Sequence, residues 1–284
     1  MVIGFQIYHF HRKRKPKRRG RGVIMIMKQP MHAKCLRPIT THYRSSNLQL
    51  IAFPHAGAGA GYFRSWAQFI PSYIELIGVQ YPGREDRIFD EPVSDIKKLS
   101  LEIADAIQQQ EYDQIILFGH SMGAILAYEV ACHLQKNGTL IKYLFVSGQT
   151  EPTKTRKTLF YRSTDKELIH EVIRVSETSK EIFENKELRE IFLSIIRNDY
   201  EAIETYSTET PTLLSTPITV LLGDDDTEVT YQEAISWSAY TKYRFDIYTF
   251  PGEHFFINKQ LKQVIEIIID KLHLLDTSYE NFCP

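Results

Sequence analysis

Residues 114–124 read QIILFGHSMGA: an unbroken apolar run that stops at Gly119 and gives way to Ser121 between two glycines. Such a run suits a strand covered on both faces of a parallel sheet. Beyond it, Ala124, Ala127 and Ala131 recur at i, i+3 and i+7, small enough for a helix to lie close on that sheet. Gly119, Ser121 and Gly123 therefore form G-x-S-x-G at a strand-to-helix turn, where small neighbours let the turn close and leave a hydroxyl presented at its tip. A purely structural Gly/Ser turn is the plainer alternative, and the rest of the chain has to choose between them.

The same rhythm extends in both directions. LQLIAF (48–53), IGVQY (77–81), KYLFVSG (142–148), PITVLLG (217–223) and FDIYTF (245–250) read as further strands. Helices are expected at 94–110, 122–136, 230–240 and 258–272. Leu261, Val264, Ile265, Ile268 and Leu272 make an apolar stripe in the last. Thr230 and Glu233 have the spacing of a capping box. Strands alternating with helices predict an α/β fold, with a mostly parallel central sheet and helices on both faces.

Residues 151–210 interrupt the alternation without a strand of their own. Thr164 with Glu167 predicts one helix start. Leu188, Ile191, Phe192, Ile195 and Ile196 give a second helix, from about Asn185, an apolar face. A helical insertion packed on the sheet and a lid over a pocket fit this stretch equally well.

Charge is unevenly spread. Eight of the 34 Lys and Arg residues fall within 12–21, and no acid precedes residue 24. The other 26 basic residues face 35 acidic ones, so the folded part carries a net charge of -9. An acidic domain of this kind excludes wholesale nucleic-acid binding; only the basic run could touch phosphate. That run is expected to be a disordered tail or to precede the true start, since Met25, Met27 and Met31 follow it. Residues 1–40 are accordingly read as a basic extension and 41–284 as a single domain. VIMIM alone follows the charges, too short for a secretory signal, and no apolar run approaches the ~20 residues of a membrane span. Cys35, Cys132 and Cys283 form no paired framework, which suits a reducing, cytoplasmic compartment.

A serine hydroxyl at such a turn needs a base, and the base needs an orienting acid. In sheets of this kind they follow in the order serine, acid, histidine. Downstream of Ser121, His133 sits within the next helix, His170 within the insertion and His273 at a helix end. His254, in FPGEHFF (250–256), follows a strand and a Pro-Gly turn, the loop position a base requires. LLGDDD (221–226) supplies acids past the preceding strand. Three adjacent carboxylates cannot all be buried and ionised, and they lack the alternate spacing and central glycine of a calcium loop. Asp226 is the expected acid, with Asp224 and Asp225 facing solvent; Glu151, past an earlier strand, is its competitor. The glycine-rich FPHAGAGAG (53–61) fails the dinucleotide pattern at Tyr62. It serves better as half of an oxyanion hole, an N–H near Ala56 or Gly57 joining that of Met122.

Taken together, FPHAGAGAGYFRSW, VQYPGREDRI, FGHSMGA, LLGDDD and FPGEHFF resemble the type II, editing thioesterases of nonribosomal peptide and polyketide synthases. These are α/β-hydrolases, and the likeness spans roughly 48–270. The resemblance implies Ser121 as nucleophile, Asp226 as acid, His254 as base and Met122 with Ala56 as the oxyanion hole. It also implies that 151–210 is a lid. The implied substrate is an acyl or peptidyl thioester on the phosphopantetheine arm of an acyl or peptidyl carrier domain, with no metal or soluble cofactor. PGRE (82–85) is a family mark, and nothing in the sequence assigns Arg84 a role beyond a charged turn. Rival functions are a chain-terminating fatty-acyl thioesterase or small-ester hydrolase and, from another class, a non-catalytic binding protein.

Overall fold

The computed structural model describes residues 34–40, 48–110, 112–154, 158–176 and 180–280. The basic run at 12–21 and Cys283 lie outside them. Among the described residues seven strands form one sheet: β1 (Leu36–Pro38), β2 (Leu48–Phe53), β3 (Ile74–Val79), β4 (Gln114–His120), β5 (Ile141–Ser147), β6 (Ile218–Gly223) and β7 (Phe245–Phe250). Their spatial order is β1-β3-β2-β4-β5-β6-β7. Every pairing is parallel except that of β1 with β3.

Period-two alternation sorts each strand between two apolar layers. Ile115 and Leu117 of β4 face one layer, with α1 (Ile96–Gln108) and α2 (Met122–Lys136). Ile116 and Phe118 face the other, with Phe63, Trp66 and the long helix near the C-terminus. Both faces are thus sealed, which is why these strands read as continuous apolar runs.

The helix expected at 258–272 is two helices, broken at Gln260: α7 (Phe256–Lys259) and α8 (Leu261–Glu280). That expected at 230–240 begins as α6 (Tyr231–Ile235), with the Thr230–Glu233 capping box in place, and then tightens to a 3-10 turn over Ser236–Tyr240. The strand expected at 77–81 begins earlier, at Ile74, because the buried Glu75 interrupts the apolar pattern that marks a strand. Gln80 then leaves the sheet and turns its side chain to the N–H of Ala60.

One boundary needs correction. Leu36–Pro38 pairs with Ile77–Val79, so the sheet reaches back into the stretch 1–40 that the sequence assigns to an extension. A three-residue strand ending in proline carries no periodicity to read.

Between β5 and β6 the insertion forms α3 (Asp165–Val175), α4 (Lys180–Glu184) and α5 (Lys186–Thr205). The Thr164–Glu167 capping box and an Asn185 cap start α3 and α5. Leu168, Val172, Phe183, Leu193 and Ile196 bury a small core of their own, with Ala56 packed against it. The insertion therefore rests on the loop after β2. No helix among the described residues is long and apolar enough to cross a membrane. Burial pushes the thiols of Cys35 and Cys132 up to about 11 and about 12.

Candidate active site

Strand order reverses between β2 and β4, because β3 lies outside β2 while β5 lies outside β4. Crevices open at the carboxyl ends of parallel strands where such a reversal occurs. The loop at 54–61 and the turn at Ser121 leave the sheet at that point.

Ser121 links β4 to α2 with φ 55° and ψ −125°, a conformation that L-residues rarely adopt. Two contacts force it. A Cβ on Gly119 would lie 2.2 Å from the Gly123 carbonyl oxygen, and one on Gly123 would lie 2.2 Å from that of Phe53. Both flanking glycines are thus required by backbone packed on backbone, and the turn between them has no room to relax. The Ser121 N–H donates to the Ser147 carbonyl at 2.8 Å, which ties the turn to the end of β5.

The three acids of LLGDDD part company. Asp224 is exposed, and its Oδ1 accepts the Gly252 N–H at 2.8 Å. Asp225 is exposed and donates its N–H to the Gly252 carbonyl at 3.0 Å. Only the side chain of Asp226 is fully buried. It accepts from the N–H of Glu228 at 2.7 Å and of Val229 at 3.3 Å, and from His254 Nδ1 at 3.0 Å. Close approach again explains the meeting: a Cβ on Gly223 would come within 2.4 Å of the Gly252 carbonyl oxygen. The loops after β6 and β7 therefore lie backbone to backbone.

Glu151, the competing acid, is engaged elsewhere. Its carboxylate takes the Thr153 N–H at 2.7 Å and the hydroxyls of Thr153 and Tyr240. His133 lies along α2, while His170 and His273 are exposed. Of the histidines the sequence offered downstream of Ser121, it is His254 whose ring meets the buried Asp226 carboxylate.

His254 is buried and stands beside His120, ring centroids 5.1 Å apart. Gly148, next to Ser147, lies against both: a Cβ there would meet His120 Cε1 at 3.0 Å and His254 Cε1 at 3.2 Å. Ser121 and His254 thus flank the same short segment, Ser147–Gly148. Among the described contacts no hydrogen bond joins the Ser121 hydroxyl to the His254 ring; such bonds are often loose without substrate and tighten in the complex. Burial holds His120 well below the usual histidine range and lowers His55 to about 4, so both are neutral at pH 7.

At the loop after β2, the Gly57 N–H donates to Asp199 at 2.7 Å and is not available to a substrate. The N–H groups of Ala56 and Met122 have no acceptor among the described residues. Arg84, whose role the sequence left unassigned, is buried. It forms a two-pronged ion pair with Asp199 of α5, Nη1–Oδ2 at 2.5 Å and Nη2–Oδ1 at 2.7 Å. Sequence reasoning passed over Asp199, yet a signal was present. Asp199 lies at i+3 from Ile196 and i+7 from Phe192, a carboxylate on the apolar stripe of its helix.

The thioesterase domain family matches this chain over residues 48–272. The probable cadicidin biosynthesis thioesterase of Streptomyces griseus is 34% identical to it, over 80% of this chain and 63% of that protein. The gramicidin S biosynthesis protein GrsT of Aneurinibacillus migulanus is 31% identical, over 81% of this chain and 91% of that protein. Among solved structures, BorB, a type II thioesterase from the borrelidin biosynthetic cluster, superposes with a TM-score of 0.78 at 34% identity. That likeness covers 84% of this chain and 97% of BorB.

Proposed function

We propose, from the premise that the chain belongs to the thioesterase domain family, that Ser121, His254 and Asp226 hydrolyse acyl thioesters at the carboxyl edge of an α/β-hydrolase sheet. The observation that carries the reading is the buried Asp226 carboxylate on His254 Nδ1, beside a serine held at φ 55°. A carboxylate accepts only, so Nδ1 carries the proton and Nε2 is left as the basic nitrogen. Nε2 takes the proton of Ser121 Oγ as that oxygen attacks the thioester carbonyl. The oxyanion rests on the N–H groups of Met122 and Ala56. The C–S bond breaks, His254 returns its proton to the departing thiolate, and an acyl-serine remains. Water then attacks that ester and gives a proton to His254, the C–O bond to Ser121 breaks as His254 passes that proton to Oγ, and a carboxylic acid leaves a free Ser121. The sequence of steps uses no metal or soluble cofactor.

The named relatives are a probable cadicidin biosynthesis thioesterase and a gramicidin S biosynthesis protein, and BorB is a type II thioesterase from the borrelidin biosynthetic cluster. They support a housekeeping role in nonribosomal peptide or polyketide synthesis. The substrate is then an acyl or peptidyl group on the phosphopantetheine arm of a carrier domain, met in the cytoplasm. The insertion at 151–210 serves as the lid of the acyl site, since its apolar cluster packs on Ala56. A binding protein would have little use for a serine kept in a strained conformation, where glycine would fit better.

Hydrolysis of short acyl groups from a loaded carrier protein tests the proposal. Wild type should release free acid, and Ser121→Ala should lose at least about 10³-fold in kcat. Efficient cleavage of free esters with acyl-carrier untouched would end the editing role. Equal inertness of both proteins on every ester and thioester would favour the binding protein.

A further inference from the structure

Asp199 stands on α5 of the insertion, far along the chain from the loop after β2, yet it holds that loop directly. Its Oδ2 accepts the Gly57 N–H at 2.7 Å. Both of its oxygens also accept from Arg84. Arg84 in turn donates to the carbonyls of Ala58 and Pro82, each at 3.3 Å, and its guanidinium lies 5.3 Å from the Tyr81 ring centroid. Tyr81 donates its hydroxyl to the Pro54 carbonyl at 3.0 Å. The side chains of the ion pair are each only 4% exposed, so water cannot substitute for either partner.

The peptide unit between Ala56 and Gly57 is gripped at both ends. Its N–H goes to Asp199, and its carbonyl accepts from His55 Nδ1 at 2.8 Å. A peptide plane so held cannot rotate, and the next N–H back along the chain, that of Ala56, keeps its direction. That N–H is one of the two assigned to the oxyanion. Packing reinforces the polar contact: a Cβ on Gly57 would lie 2.9 Å from Ile196 and 3.0 Å from Phe192, both on α5. The helix cannot shift away without withdrawing the Asp199 carboxylate from Gly57.

We infer that Asp199 and Arg84 are positioning residues for the oxyanion hole, and that the contact of Asp199 with Gly57 makes the hole complete only when α5 is seated on the loop after β2. The inference rests on the hydrolytic reading above. Seating of the insertion then gates the transition state rather than substrate entry alone. The carboxylate touches no reacting atom; it acts through the Ala56–Gly57 peptide. Its loss weakens the oxyanion contact, which exists in the transition state and not in the bound thioester.

The test compares wild type, Ser121→Ala, Asp199→Asn and Arg84→Lys in hydrolysis of a short acyl-pantetheine thioester. Affinity for an alkylboronic acid, which becomes tetrahedral on Ser121, is measured beside it. Asp199→Asn keeps size and an acceptor but loses the charge facing Arg84; Arg84→Lys keeps charge and loses the fork. For whichever of these two variants unfolds as cooperatively as wild type, kcat should fall by roughly 10–100-fold with KM within about 3-fold. Boronate affinity should fall in parallel, while affinity for the carboxylate product changes little. A merely structural role would lower the unfolding midpoint without splitting kcat from KM. Turnover lost in Ser121→Ala but kept, with wild-type boronate affinity, in either folded variant would overturn the inference alone. Equal turnover by wild type and Ser121→Ala would overturn the hydrolytic reading and the inference with it.

Discussion

Asp226 reaches His254 Nδ1 with both carboxylate oxygens, at 3.0 and 3.2 Å, while Oδ1 also accepts two backbone N–H groups. The acid is thus held by contacts independent of the base, and the histidine tautomer follows from it. Asp226→Asn preserves the shape but can present its amide N–H to Nδ1, which selects the wrong tautomer. Steady-state thioester hydrolysis should show kcat lowered by about 10³–10⁴-fold. Glu151→Gln should leave kcat near wild type and lower the unfolding midpoint, because it weakens the contacts to Thr153 and Tyr240. The reverse pattern would assign the acid to Glu151.

The turn at Ser121 stores strain that its hydroxyl requires. A non-glycine residue in a sparsely populated conformation costs on the order of 1–3 kcal/mol. Glycine adopts φ 55° at no steric cost, though it adds about 0.5–1 kcal/mol of unfolded-state entropy. Ser121→Ala keeps the Cβ and the strain; Ser121→Gly removes both. Both should be inactive, and Ser121→Gly should unfold at a higher urea concentration than Ser121→Ala. Coincident midpoints would limit the strain to the roughly 0.5–1 kcal/mol that the entropy of glycine offsets, and a lower midpoint for Ser121→Gly would mean that the elbow is unstrained.

What the sequence could and could not reveal follows from distance along the chain. Ser121, Asp226 and His254 each follow a strand, so local pattern sufficed to place them at one edge of the sheet. Gly119 and Gly123 were legible for the same reason, their contacts lying within the turn or on the neighbouring strand end. The ion pair of Arg84 with Asp199 joins residues 115 apart, one in a charged loop and one in an insertion rich in acids. Nothing local tells Asp199 from Glu190 or Glu201 except its place on the apolar stripe. The division of labour within DDD was legible only in part. Charge repulsion allows one buried acid, but its choice depends on Gly223 closing against Gly252.

His120 makes the acid stability of the fold predictable in sign. Its ring is wholly buried, its Nδ1 pairs with Ser147 Oγ at 3.0 Å, and its Nε2 has no hydrogen-bond partner among the described residues. Burial, with the nearby His254 and His55, holds it well below the ordinary histidine value of 6.5. Unfolding returns it to that ordinary value. Between the two, the unfolded chain binds a proton that the native chain refuses, so stability rises with pH there. The contribution is complete above about pH 7 and is lost as pH falls through 6.5 toward the depressed native value. His55, lowered to about 4, adds in the same direction down to that pH. His120→Asn keeps a polar group facing Ser147 without titrating. Urea unfolding of the two proteins at about pH 7.5 and pH 5 should show a smaller acid-side loss of midpoint in the variant. An equal loss in both would mean that other groups carry the acid sensitivity and that the His120 ring takes its proton without opening the site.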